Sequence, residues 1–261
     1  MMDALWRYRG FVWLAVINEY KARFVRSRFG LAWVVLNPLA QVLIYATVLS
    51  SVLATRLPGV ESKFSYTAYL LSGMICWNTF SEIVSRSLTM FMDNSSLLKK
   101  VNFPRIALPA IVVVSALVGT VALSVASFFI LLLAGFPLHA TWIWLPVLIA
   151  ITALFAVGVG LLAGTINVFS RDFGQVFAIL LQFWFWLTPV VYPSSVLPER
   201  ISFFAQFNPM YTLVEAFHSV VVFGRIPTPE PMLIVFVLAC ALLAFGTLLF
   251  RRASPDLVDE L

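Results

Sequence analysis

Hydrophobic residues along this chain gather in long blocks separated by short polar clusters. A membrane-crossing helix needs roughly 20 apolar residues. Six blocks meet that requirement: Leu31–Thr55, Tyr66–Phe91, Ile106–Ala134, Trp142–Phe169, Phe173–Tyr192 and Met232–Phe250. Several exceed what a bilayer needs, so they tilt or project into water. The pattern predicts an all-α integral membrane protein whose residues 1–261 form a single transmembrane domain. Residues 1–30 are expected as an interfacial helix, 31–192 as spans one to five and 232–250 as span six, before a tail over 251–261. In the first segment Trp6, Trp13, Val16, Ile17, Tyr20 and Phe24 share one helical face. Basic residues lie off that face, as in a helix lying in the interface plane. Its apolar stretch is too short for a cleavable signal and lacks a small-residue cleavage site.

Residues 193–225 do not fit a simple span. They carry Phe203, Phe204, Phe207, Tyr211, Phe217 and Phe223, yet Pro198 and the Asn208–Pro209 step break them into two short helices. Two arrangements are open: an outer re-entrant hairpin covered by protein, or a hairpin flat on the outer surface.

Composition agrees with a lipid solvent. The chain is 61% hydrophobic, 15% aromatic and only 11% charged, with mean hydropathy +0.97, far from the roughly 25% charge of soluble domains. The net charge of +5 forms no continuous basic face, so nucleic acid is not an expected partner. With the N-terminus inside, all but four of the 17 lysines and arginines fall on the inner side, the exceptions being Arg56, Lys63, Arg200 and Arg225. That bias predicts two cytoplasmic termini. Cys76 and Cys240 sit far apart in apolar blocks and read as packed residues.

Catalytic chemistry is sparse. The two histidines, His139 and His218, are well separated, and no glycine precedes a lysine, so no phosphate-cradling GxxxxGK[ST] loop exists. Glu82 and Arg86 suit an i,i+4 ion pair on the second span. Glu215, in the outer hairpin, has only His218 at helical spacing and is the carboxylate of most interest. Ala156, Gly160 and Gly164 form a small-xxx-small row for close helix approach.

Polar stripes are more informative. Trp33, Asn37 and Gln41 on the first span, and Gln175, Gln182 and Trp186 on the fifth, each share a narrow helical arc. Amides facing lipid would waste hydrogen bonds. The stripes therefore line a passage for a hydroxyl-rich, weakly charged solute, or they bond helices to one another. Phe177 and Trp184 lie on a different arc and are expected to pack against neighbours or lipid.

In this order, YKARFVRSRFGLAWVVLNP (Tyr20–Pro38), KKVNFPRIALP (Lys99–Pro109), NVFSRDFG (Asn167–Gly174) and FNPMYTLVEAF (Phe207–Phe217) resemble segments of type-2 ABC transporter permeases, especially exporters of O antigen, capsule and teichoic acid. The resemblance implies a homodimeric channel in a bacterial plasma (inner) membrane, each half binding a separate ATPase subunit. ATP and magnesium would sit on that partner, with no cofactor on this chain. The implied cargo is polysaccharide joined through pyrophosphate to a polyprenyl lipid. Carried over by position, Lys99, Lys100, Asn102, Pro104 and Arg105 fall in the gate and coupling segment, and Arg171 and Asp172 in the second cytoplasmic loop. Arg23, Arg26 and Arg28 are the densest basic group. They are expected either to receive the lipid pyrophosphate or to anchor the chain on anionic lipid. The alternatives are ABC export of a smaller lipid or drug, or an integral-membrane enzyme acting on polyprenyl phosphates.

Overall fold

The computed structural model describes residues 8–24, 29–37, 39–41, 43–44, 64–100, 107–194, 198 and 204–254. Among these, every regular element is helical. The α-helices are α1 (Arg9–Phe24), α2 (Ser65–Asp93), α3 (Ser95–Lys100), α4 (Ala107–Leu133), α5 (Leu145–Phe169), α6 (Arg171–Leu187), α7 (Pro209–Val221) and α8 (Pro229–Ala253). The described positions within 33–44 are helical too, and follow a 3-10 turn at Gly30–Ala32. Three segments are long and apolar enough to cross a membrane: α4, Ala140–Phe169 (α5 with its leading 3-10 turn) and α8.

The core is built around α5, which packs most extensively against α2 and α8. Small residues allow this. A Cβ on Gly164 would lie 2.2 Å from the Ser87 carbonyl oxygen, and one on Gly160 would lie 2.7 Å from the Ser87 side chain. On the other side, a Cβ on Gly158 would meet the Leu243 backbone nitrogen at 2.8 Å. The row read as a packing face is therefore the α2 contact, with the backbones too close for any side chain between them. Phe80 of α2 stacks on Phe155 of α5 at 5.5 Å, and both are fully buried. A second cluster at the other end joins Phe91 to Phe250, whose rings stack at 5.3 Å, with Leu98, Leu108 and Val168.

Several sequence expectations need correction. The fifth span, read to Tyr192, ends as helix at Leu187. Thr188 precedes Pro189 and is extended (φ −108°, ψ 132°), as the proline ring requires of its predecessor. The helix is then only about 26 Å long. The face of α1 divides: Val12, Val16 and Tyr20 turn into the bundle, while Phe11, Trp13 and Leu14 stay exposed. Cys240 is exposed on α8, whereas Cys76 is buried. The Asn208–Pro209 step begins α7 rather than merely breaking a helix: the Asn208 side chain accepts from the Met210 N–H at 3.0 Å, and Pro209 takes the first helical turn. The first half of the expected hairpin falls largely on residues outside the described set.

The connections are short and pinned. Ser170 alone separates α5 from α6. Asn167 donates its amide to the Leu88 carbonyl at 2.7 Å, and a Cβ on Gly174 would sit 2.5 Å from Asn167 Oδ1. The NVFSRDFG segment is thus a corner in which Asn167 ties α5 to α2 and Gly174 leaves room for that amide.

Candidate functional site

A cleft of about 690 Å³ opens between the described helical positions of 33–44, α1, α2 and α4. Trp33, Asn37 and Gln41 line one wall, and Asn78, Ser81 and Ser85 of α2 line another. A second cleft, of about 500 Å³, shares Gln41, Asn78, Ser81 and Ser85 and continues to Gln182 and Trp186 of α6. The two form one polar surface running from Trp33, Asn37 and Gln41 across α2 to α6. Trp33 and Trp186 are exposed, as are Asn37, Gln41 and Gln182.

Five of the six residues expected to line a passage therefore meet this surface. Gln175 is exposed on α6 but lines neither cleft. Sequence reasoning missed α2. Asn78, Ser81 and Ser85 recur at the i, i+3, i+7 spacing of one helical face. The signal is legible in the sequence, although the charged pair Glu82 and Arg86 is interleaved with it.

Arg86 makes the expected i,i+4 ion pair with Glu82 and a second one that the spacing does not announce. Its closer partner is Glu19 of α1, at 2.5 Å, while Glu82 stands 3.6 Å away. The guanidinium thus fastens α1 to α2 beside the cleft. Tyr20 reinforces the join by donating its hydroxyl to the Ser115 carbonyl of α4 at 2.7 Å. A further cleft of about 580 Å³, between α1, α2 and α4, contains Glu19, Arg86 and Asp93, so this junction is the wall between two openings.

Trp184 faces away from the polar surface. Its ring lies edge-on to Phe80 at 5.0 Å and to Phe155 at 6.4 Å, and Nε1 donates to Asn208 Oδ1 at 2.8 Å. Asn208 in turn donates to Thr188 Oγ1 at 3.0 Å. One amide therefore caps α7 and fastens it to the end of α6.

Other expected site residues are placed as follows. Lys99 is exposed on α3, whose Leu98 is buried in the cluster with Phe250. Asp172 is exposed in the first turn of α6, where a carboxylate suits the helix dipole. Arg23, Lys100 and Arg171 lie in helices, but their side chains are outside the described set, as are Arg26, Arg28, Asn102, Pro104 and Arg105 altogether. Glu215 is half-buried on α7. His218 is fully buried and stacks on the Tyr69 ring at 3.5 Å. Neither of its nitrogens finds a partner of normal geometry among the described residues. Tyr66 and Tyr69 donate to the carbonyls of Val191 and Tyr192, closing this end of α2 over the 189–192 turn.

Known proteins show the same arrangement of sequence over nearly the whole length. The chain is 29% identical over 265 residues to the O-antigen export system permease protein RfbA of Myxococcus xanthus, covering 100% of this chain and 99% of that protein. It is 28% identical over 237 residues to a Klebsiella pneumoniae protein of the same name, covering 90% and 88%. It is 24% identical over 248 residues to the polysialic acid transport protein KpsM of Escherichia coli, covering 94% and 93%. Residues 11–222, which include the cleft, the Arg86 junction and the Asn208 fastening, match the family described as ABC-2 type transporter, and the chain belongs to that membrane family.

Proposed function

We propose that this chain is the permease subunit of an ABC exporter that moves polyprenyl-pyrophosphate-linked polysaccharide out of the cytoplasm. The observation that carries the reading is the polar surface of Trp33, Asn37, Gln41, Asn78, Gln182 and Trp186, in a chain whose relatives are named for O-antigen and polysialic acid export. Indole faces stack on sugar rings without demanding one hydroxyl pattern, and amides both donate and accept. A sliding polymer needs many such weak contacts, because a single tight site would arrest it.

In this reading two copies pair in the bacterial inner membrane, each crossing it six times with both termini cytoplasmic. Each copy docks one ATPase subunit against the Lys99–Arg105 segment and the Arg171–Asp172 corner. The outer hairpin carries Glu215, and Arg23, Arg26 and Arg28 meet the lipid pyrophosphate at the inner leaflet.

The test is to co-express the chain with an ABC-transporter ATPase subunit from the same cell, in cells that make the lipid-linked polymer but lack an exporter. Polymer at the cell surface, lost when the ATPase is inactivated, is the expected result. Polymer that stays inside while a small lipid or drug is pumped would replace the substrate. Chemical change to the polyprenyl phosphate by the chain alone would replace transport with catalysis.

A further inference from the structure

Helix α1 sits between two openings and is held by little. It packs on α4 and meets α2 only sparsely. Among its described side chains Val12, Val16 and Tyr20 are buried, whereas α2 is buried along most of its length. Two polar contacts add to these three side chains: Tyr20 to the Ser115 carbonyl, and Glu19 to Arg86. Elements with few buried apolar contacts are the ones that open locally. On one side of α1, Tyr20 lines the cleft of about 690 Å³; on the other, Phe11, Ala15, Asn18 and Glu19 line the cleft of about 580 Å³. Arg86 is the one described residue that lines both.

Arg86 meets two carboxylates with one charge. Glu19 of α1 holds it at 2.5 Å, and Glu82 of its own helix stands at 3.6 Å, beyond hydrogen-bond distance yet within ion-pair reach. Glu82 does not depend on α1 for its place. It lies one turn before Arg86 on α2 and against Gly119 of α4, where a Cβ would stand 3.5 Å from Oε2. Stripping the only partner from a largely buried guanidinium is strongly destabilising, because the charge is left unpaired. Here the second carboxylate removes that penalty. When Glu19 departs, a rotamer change brings Arg86 onto Glu82 as an ordinary i,i+4 pair. The junction therefore has two arrangements that satisfy the guanidinium, and α1 is released in one of them.

We propose that α1 is a lid over the groove between α2 and α4, and that Arg86 is its latch, passing from Glu19 to Glu82 when α1 lifts. Lifting removes the wall between the two clefts and joins them into one groove, from the interfacial helix to the polar surface of Asn37, Gln41 and Asn78. This step rests on the export reading: the lifted lid admits the saccharide end of the lipid-linked polymer to that surface. Glu82 is then a positioning residue that stabilises the open arrangement, whereas Glu19 stabilises the closed one.

The test reads the lid directly, on the full chain in nanodiscs. Val16→Cys in a Cys240→Ala background places a thiol at a position only 2% exposed on the buried side of α1, and a water-soluble maleimide labels it when the lid lifts. Glu19→Gln should raise the labelling rate about fivefold, the effect of one partly exposed ion pair. Glu82→Gln should lower it severalfold, because the open arrangement then leaves Arg86 unpaired. The opposite signs identify the latch, since removing a merely structural carboxylate loosens α1 in both variants. Deuterium exchange of the amides of residues 12–20, in chains without the cysteine, should give the same order. Equal or faster labelling in Glu82→Gln overturns the exchange of partners, and a thiol that stays unlabelled in every variant overturns the lid. No cargo or ATPase enters either measurement, so a wrong substrate leaves the outcome unchanged and a failed latch leaves the export test standing.

Discussion

Two tryptophans two residues apart on α6 should fail in opposite ways when truncated. Trp184 packs edge-on against Phe80 and Phe155 and donates to Asn208. Removing it opens a cavity beside two fully buried rings, and large-aromatic-to-alanine changes cost about 3–5 kcal/mol. Trp184 is only partly buried, which argues for the lower end of that range. The lost ring pairs contribute roughly 0.5–1.5 kcal/mol each and the hydrogen bond about 1 kcal/mol within that total. At roughly 2–4 °C per kcal/mol for a chain of this size, Trp184→Ala should lower the melting temperature by about 10 °C. Trp186 is 57% exposed. The Tyr192 hydroxyl reaches its main-chain carbonyl at 2.5 Å, a bond that truncation leaves intact. Trp186→Ala should therefore unfold within about 2 °C of the parent yet export markedly less polymer. The assay pairs a melting curve of the purified chain in detergent with surface polymer per unit of assembled protein in cells. A stable, fully exporting Trp186→Ala would remove the indole from the passage. A Trp184→Ala that melts normally would show that the described packing around Phe80 is wrong.

Further tests probe the close contacts and the coupling segment. Gly164→Ala places a methyl 2.2 Å from a backbone oxygen, so it should cost about 3 kcal/mol or more and depress the yield of monodisperse protein; Gly10→Ala, with nothing within 4 Å, is the matched control. Gly174→Ala should displace the Asn167 amide from Leu88 and lower the melting temperature by several degrees, with Asn167→Ala showing little additional loss in the double variant. In a double-mutant cycle, Glu19→Gln and Arg86→Gln should couple by about 1 kcal/mol, because both groups are partly exposed and screened; strict additivity would show that the pair does not hold α1. Lys99→Glu with Lys100→Glu should leave membrane insertion intact while separating ATP hydrolysis from export, whereas normal export would assign the lysines to topology alone.

Block hydrophobicity located the helices well because a membrane span is specified by length and polarity, and the ends of α2, α4 and α8 fall within a few residues of the reading. It failed where local backbone chemistry decides. Thr188 leaves the helix because of the proline after it, although the apolar pattern runs on to Tyr192. Asn208 read as a breaker because an Asn–Pro pair is ambiguous in sequence. Only the Trp184 indole and the Thr188 hydroxyl around it reveal an N-cap used three times over. Glu82 and Arg86 were legible as a pair because helical spacing is local. Glu19 lies 67 residues away from Arg86, and nothing in one sequence announces that distance closing.

The same logic explains why amides marked the cleft and hydroxyls did not. Within these helices Thr79, Thr120 and Thr152 each return their hydroxyl to the carbonyl four residues earlier. A threonine or serine is therefore compatible with either lipid or protein, and its presence says little about a site. An amide carries two donors and an acceptor on a longer stem, more than the one carbonyl a turn back in its own helix can satisfy. Its remaining groups must meet another helix, water or a ligand. Asn167 meets Leu88 and Asn208 meets three partners, so both are structural. Asn37, Gln41, Asn78 and Gln182 instead line two adjoining clefts, joined by α2, which among the described helices of 18 residues or more does not qualify by composition as a span. That helix, α2, is buried along most of its length, whereas the most apolar, α8, has 22% of its spanning window buried. Among the described helices of spanning length, the polar surface thus lies on the one that hydropathy does not mark as a span, α2.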